Sequence, residues 1–210
     1  MTGSTQPPGS GEAFKGIGVS PENEGRVLQR GGQELLLEKA GDRFTVRLVA
    51  GASAEQVGQR LGAASQQGIP SVQLVEYRVE PSQLDLAMER ARTLADVVFS
   101  SHVYRLQSSP NTWVYLTDEL TIQFADTVDR AEIAAMVARL GLQAVQPVLG
   151  VPQTFVFRVT DRAAVNPIKL ANQLMRRGDV LTAEPNIAIE TQSHYRPSDP
   201  EYPKQWYLNH

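Results

Sequence analysis

The sequence predicts an α+β protein made of two copies of one module, and three observations carry that prediction. Between Gly32 and Gln192, runs with an apolar residue at every second position alternate with stretches at helical spacing, with turn residues between them. The order of these segments repeats: Phe44–Leu48 reappears as Leu120–Phe124, Tyr77 as Phe157, and Asp96 as Asp179. The chain has 210 residues, 41% hydrophobic and 20% charged, which is ordinary globular usage and enough to bury a core.

Residues 1–25 are rich in Gly, Ser and Pro, hold few large apolar side chains, and read as a disordered tail. Residues 26–112 form the first module. It comprises a strand at Phe44–Leu48, a helix from Ser53 to Leu61, a strand at Val75–Val79, a second helix, and a strand from Asp96 to Tyr104. Residues 113–192 form the second module, which opens with the strand Leu120–Phe124. Asp129 and Glu132 then make a capping-box start, Ile133, Met136, Val137 and Leu140 share one helix face, and Gly141 supplies the stop. Strands at about 142–148 and 153–159 flank the turn Leu149-Gly150-Val151-Pro152. The next helix begins at Asn166-Pro167, a polar cap followed by proline at the first helical position, and carries Leu170, Ala171, Leu174 and Met175 inward before Gly178. Asp179-Val180-Leu181 leads the last strand into Ile187.

Strand, helix, strand, strand, helix, strand is the ferredoxin-like arrangement, so the expected architecture is a tandem of ferredoxin-like modules. Right-handed crossovers place both helices of a module on one face of a four-stranded antiparallel sheet and leave the other face bare. Thr121, Gln123, Arg158 and Thr182 lend that face polarity. A bare sheet face meets a partner, or else the two modules pack on each other.

Most chemistry is excluded. A net charge of −3 and a pI near 5.7 provide no footprint for a phosphate backbone, and no nucleic-acid partner is expected. With no cysteine there is no disulfide, thiol nucleophile or thiolate-bound zinc. The first residues, MTGSTQPPGSGEAF, contain no basic flank followed by an apolar run, and no stretch reaches the roughly 18 apolar residues of a membrane span. Neither a secretory signal nor a membrane partner is predicted, and the compartment stays open. His102, His194 and His210 are scattered without metal-ligand spacing, and are expected to be exposed or locally bonded. Gly16-Ile17-Gly18 lacks the third glycine of a dinucleotide loop, and Gly51-Ala52-Ser53 is no nucleophile elbow. Trp113 and Tyr115 read as core or edge aromatics just ahead of a strand. No catalytic residue, metal or cofactor is assigned to this chain.

Two segments carry a resemblance. Asp179-Val180-Leu181-Thr182-Ala183-Glu184-Pro185-Asn186-Ile187 resembles the last strand of the pro-region of subtilisin-like serine proteases, where an acidic residue before Pro-Asn closes the domain. Asp199-Pro200-Glu201-Tyr202-Pro203-Lys204-Gln205-Trp206-Tyr207-Leu208 resembles the opening of the mature catalytic region, and residues 193–210 thus read as linker and catalytic-domain start. The likeness covers Thr117 to His210, and residues 32–116 look like the extra prodomain of longer bacterial or cyanobacterial members.

The resemblance implies an intramolecular chaperone and inhibitor of a protease whose Asp, His and Ser motifs would lie beyond His210. The parent would be a subtilisin-like serine endopeptidase, and this chain alone no enzyme. Its partner is then the cognate catalytic domain in cis, and any calcium would belong to that domain. Glu184 stands where the family caps two protease helices. Ile187, Ala188, Ile189, Glu190, Thr191 and Gln192 would lie substrate-like in the cleft as an added strand. Cleavage is expected across Thr191, Gln192, Ser193, His194, Tyr195, Arg196, Pro197 and Ser198. A freestanding protease inhibitor and a ferredoxin-like regulatory or oligomerisation module remain as alternatives.

Overall fold

The computed structural model describes residues 23–160, 163 and 165–191. Nine strands and four helices follow in the order β1 (Val27–Arg30), β2 (Gln33–Leu48), α1 (Ala54–Leu61), β3 (Ser65–Ile69), β4 (Leu74–Arg78), α2 (Leu84–Thr93), β5 (Val97–Leu106), β6 (Ser109–Phe124), α3 (Arg130–Arg139), β7 (Leu142–Pro147), β8 (Thr154–Val159), α4 (Pro167–Leu174) and β9 (Val180–Thr191). The protein is α+β. One curled sheet takes all nine strands in antiparallel pairs, in the order β3-β4-β2-β5-β6-β8-β7, with β1 on β2 and β9 on β6. By position, β3-β4-β2-β5 in the first half and β7-β8-β6-β9 in the second follow one order of neighbours.

Local chemistry sets the helix ends. The Ser53 side chain accepts from the Gln56 amide at the start of α1, and Gly62 ends that helix in the left-handed region at φ 71°. Asp129 and Glu132 complete a reciprocal capping box on α3, while Asn166 caps α4 ahead of Pro167. The apolar faces of all four helices meet one side of the sheet. There α1 and α2 cover Phe44, Val46 and Tyr77, and α3 and α4 cover Leu120, Ile122, Phe124 and Phe157.

The sequence reading misses the length of two strands. β2 and β6 each run 16 residues, about 50 Å at strand rise, and each changes partners along its length. β6 crosses the module boundary expected at residue 112, so Trp113 and Tyr115 lie within a strand. The physical reason is that Thr112–Asp118 is buried on one side or the other throughout, which removes the alternation that would mark a strand.

A second unforeseen feature is an N-terminal strap. Gly31 and Gly32, at φ 54° and 74°, form the two-residue turn that joins β1 to β2. Asn23–Arg26 form a turn, so residues 23–25, expected in the disordered tail, are structured; residues 1–22 lie outside the described residues. The strap lies on α4 of the other half. Asn172, 1% exposed, donates to the carbonyls of Glu24 at 2.6 Å and Val27 at 2.8 Å and accepts from Gln29 at 2.9 Å. Leu28 and Ile168 close the apolar contact, and Arg176 pairs with Glu24 at 3.1 Å.

His102 departs from the expected exposed or locally bonded histidine. It sits inside β5 opposite Phe44, half-buried on the helix side, with Nδ1 unpartnered among the described residues. Burial, reinforced by Lys39 and Arg92 and opposed by Asp85, pushes its pKa down to about 4 from 6.5.

Two outcomes follow. Asn172→Ala removes the side-chain bonds to the Glu24 and Val27 carbonyls and one of the two bonds that the Gln29 amide donates, and urea unfolding should report a loss of about 2–4 kcal/mol. The unfolded chain binds more protons than the folded chain between pH 6.5 and about 4, so the stability held by neutral His102 is complete above 6.5 and is lost as pH falls through that window. Unfolding midpoints measured against pH should show this slope, and His102→Phe should flatten it.

Candidate partner-docking face

The face of the second half opposite its helices carries Glu119, Thr121 and Gln123 of β6, Val156 and Arg158 of β8, and Thr182, Glu184 and Asn186 of β9. No helix covers it among the described residues. Thr121 pairs across the ladder with Val156 on one side and Glu184 on the other, so one row of side chains runs over three strands.

A break in β6 organises this face. The register between β6 and β9 shifts between Leu116 and Leu120, leaving Thr117–Glu119 outside the regular ladder. The Thr117 hydroxyl compensates by donating to the Asn186 carbonyl at 2.8 Å and accepting from the Glu119 amide at 3.2 Å. Asn186 in turn accepts from Thr121 at 3.1 Å. Arg158 donates to Glu119 at 2.7 Å and lies 3.5 Å from Asp118, and this carboxylate neighbourhood, the Glu119 bond first, holds the guanidinium above its usual range.

Asp118 couples the two halves. It is 4% exposed, pairs with Arg47 of β2 as well as with Arg158, and Arg47 also donates to the Val72 carbonyl at 3.1 Å. Val72 belongs to the 3-10 turn Pro70–Val72, which with Ile69 packs over Ala40, Leu74, Val103 and Tyr115. On the first half, therefore, the face expected to be bare is covered by its own chain. Arg43 and Arg105 flank the Trp113 ring at 4.2 and 5.1 Å on this side, and Arg43 reaches the buried Glu76 at 3.4 Å.

The expected tail residues fall in β9. Ile187, Ala188, Ile189, Glu190 and Thr191 stand in register with Leu116, Tyr115, Val114, Trp113 and Thr112. Ile187 packs beside Val114 and Leu116, Ala188 lies near Tyr115, and Glu190 accepts from the Tyr115 hydroxyl at 3.1 Å. Burial first, then the carboxylates of Glu76 and Glu190, raise the Tyr115 pKa. Ile189 is 53% exposed. β9 pairs with β6 alone, so the outer edge of Ile187–Thr191 offers backbone groups without a ladder partner among the described residues.

Glu184 is not idle in the isolated chain. Its Oε1 accepts from the Gly31 amide at 2.8 Å, in the turn of the N-terminal strap. The carboxylate thus already receives a backbone amide from its own chain. Gln192, Ser193, His194, Tyr195, Arg196, Pro197 and Ser198 lie outside the described residues, as do His210 and the segment Asp199–Leu208.

Sequence reasoning placed Thr121, Gln123, Arg158 and Thr182 on this face but missed Thr117, Asp118, Asn186 and Arg47. The interruption of apolar alternation at Thr117-Asp118-Glu119 is the one local signal that marked the break. No family model matches the chain, and no curated protein matches it.

Replacing Asp118 by Ala leaves Arg47 facing an interior site without its anion. Chemical denaturation should show a loss of about 3 kcal/mol, within the usual range for breaking one side of a buried pair.

Proposed function

We propose that this chain is the pro-region of a subtilisin-like serine endopeptidase, two tandem ferredoxin-like modules acting as intramolecular chaperone and inhibitor. The shared order of neighbours in the two halves supports the tandem reading. The observation that carries the functional reading is the outer edge of β9 at Ile187–Thr191, held extended by β6 and leading straight into Gln192–Ser198.

An extended segment held on one side and unpaired on the other suits addition to a protease cleft, where main-chain hydrogen bonds supply affinity and alternate side chains supply specificity. Ile187–Thr191 serve as the fixed base of this strand, and Gln192–Ser198 carry the peptide across the catalytic residues, where it is cut. The polar face around Thr121, Arg158 and Glu184 meets the catalytic domain, and Glu184 exchanges the Gly31 amide for amides at a protease helix terminus. Tethering in one chain raises the effective concentration of the tail to about the millimolar range, so modest intrinsic affinity occupies the cleft. A preformed surface also lowers the entropic cost of the first non-local contacts in the folding protease. The chain contributes no catalytic group of its own.

The experiment compares residues 1–210 with a version ending at Thr191, which keeps all of β9, as inhibitors of a purified subtilisin. The longer chain should inhibit competitively and be cut between Thr191 and Asp199, and the shorter one should bind at least about tenfold more weakly, a difference of one decade in Kd. Equal inhibition by both, or none by the longer chain, would overturn the reading.

A further inference from the structure

On the helix side of the sheet, a cleft of about 440 Å³ opens between α2 and α4, above β5. That size suits a small ligand. Its walls combine apolar side chains, among them Val159 and Val165, with the polar residues Arg92, Ser100, Asn166 and Lys169. Arg92 comes from the last turn of α2 and Lys169 from the first turn of α4, 77 residues later.

A further cation lies on the same side of the sheet, outside the cleft lining. Lys39 of β2 stands in register with Tyr104, on the side of the sheet that the helices cover, and it feels the charges of Lys169, Arg26 and Arg92. Burial and those like charges lower its pKa, with Asp85 the carboxylate that opposes them. None of Lys39, Arg92 and Lys169 forms an ion pair among the described residues. Beside the cleft floor, Ser100 Oγ and His102 Nδ1 have no hydrogen-bond partner among the described residues.

Bringing two cations without an ion pair among the described residues from separate helices to one partly apolar cleft raises electrostatic free energy, and apolar walls focus the resulting field. An anion relieves that repulsion. We propose that the cleft between α2 and α4 binds a small oxyanion, the phosphate or carboxylate group of a small molecule, held between Arg92 and Lys169. Asn166 offers a polar rim, and the apolar wall at Val159 and Val165 accommodates whatever short apolar portion the anion carries. The proposal is independent of the protease reading, since the cleft lies on the opposite side of the sheet from the docking face.

The test titrates isotopically labelled chain of residues 1–210 with inorganic phosphate and, separately, with butyrate, at constant ionic strength set by chloride. Saturable shifts confined to the amides of Ser100, His102, Asn166 and Lys169 are expected, and the His102 ring should titrate at higher pH once the anion offsets Lys39 and Arg92. Arg92→Gln and Lys169→Gln remove exposed side chains and should each weaken binding about tenfold while leaving the unfolding midpoint unchanged. Saturation by phosphate alone or by butyrate alone identifies which oxyanion the site takes. Shifts that never saturate with either probe, or equal affinity in both variants and the parent chain, would overturn the proposal.

Discussion

The backbone ladder between β6 and β9 is the constraint on which the rest of the structure depends. β6 has ladder partners in both halves: its first part pairs with β5, its second with β8, and β9 accompanies it along nearly all of its length. Two sheets that each need a neighbour are thereby fused, and neither keeps an edge at the junction. The cost is a register problem. A strand that twists through 16 residues cannot hold one pairing phase with several partners, and the mismatch is concentrated at Thr117–Glu119. Thr117 restores the missing backbone bonds from its hydroxyl, which is why the break is tolerated within a buried stretch.

The break also turns Asp118 inward, where a lone carboxylate would be costly. Arg47 and Arg158 arrive from β2 and β8, one from each half, and the Val72 carbonyl takes a further hydrogen of Arg47. The resulting arrangement ties the 3-10 turn over the first half to the polar face of the second. The strap gives the converse link, with Asn172 of α4 binding the carbonyls of Glu24 and Val27 and Glu184 receiving Gly31. Each half therefore supplies groups that satisfy buried polar atoms of the other, and the first half is part of what holds the polar face of the second in shape.

Much of this was legible in the sequence, for reasons that are local. Helix caps at Ser53, Asp129 and Asn166 act within three residues, and the 3.6-residue period of Ile133, Met136, Val137 and Leu140 is a property of one turn upon the next. The repeat survives because equivalent strands occupy equivalent layers. What escaped was non-local. Gln33–Lys39 is strand because β1 and then β5 pair with it, Thr112–Leu116 because β5 and β9 flank it, and Arg47 and Asp118 are 71 residues apart. His102 reads as an ordinary exposed histidine until Lys39 and Arg92 are brought beside it. Ile187–Thr191, expected to pair with a protease cleft, lie in a ladder with β6 of their own chain, which was not foreseen because Trp113–Leu116 had not been read as strand.

That ladder changes how a cleft-binding tail would work. A free peptide loses backbone entropy of roughly 1–2 kcal/mol per residue when it is laid into a groove, and for five residues this offsets much of the affinity that main-chain bonds provide. A peptide already ordered by β6 has met that cost during its own folding, so binding strength rises without any new contact. The same rigidity limits release, since Ile187–Thr191 cannot leave the cleft independently of the sheet behind them. On the proposed reading, cutting within Gln192–Ser198 severs the covalent tether and weakens binding by the contacts those residues supply, but Ile187–Thr191 stay extended, and the residual inhibition ends only when the β6–β9 ladder itself is unfolded or digested. Persistence of inhibition after cleavage is then a property of the fold of the second half, and through Asp118 and the strap it depends on the first half as well.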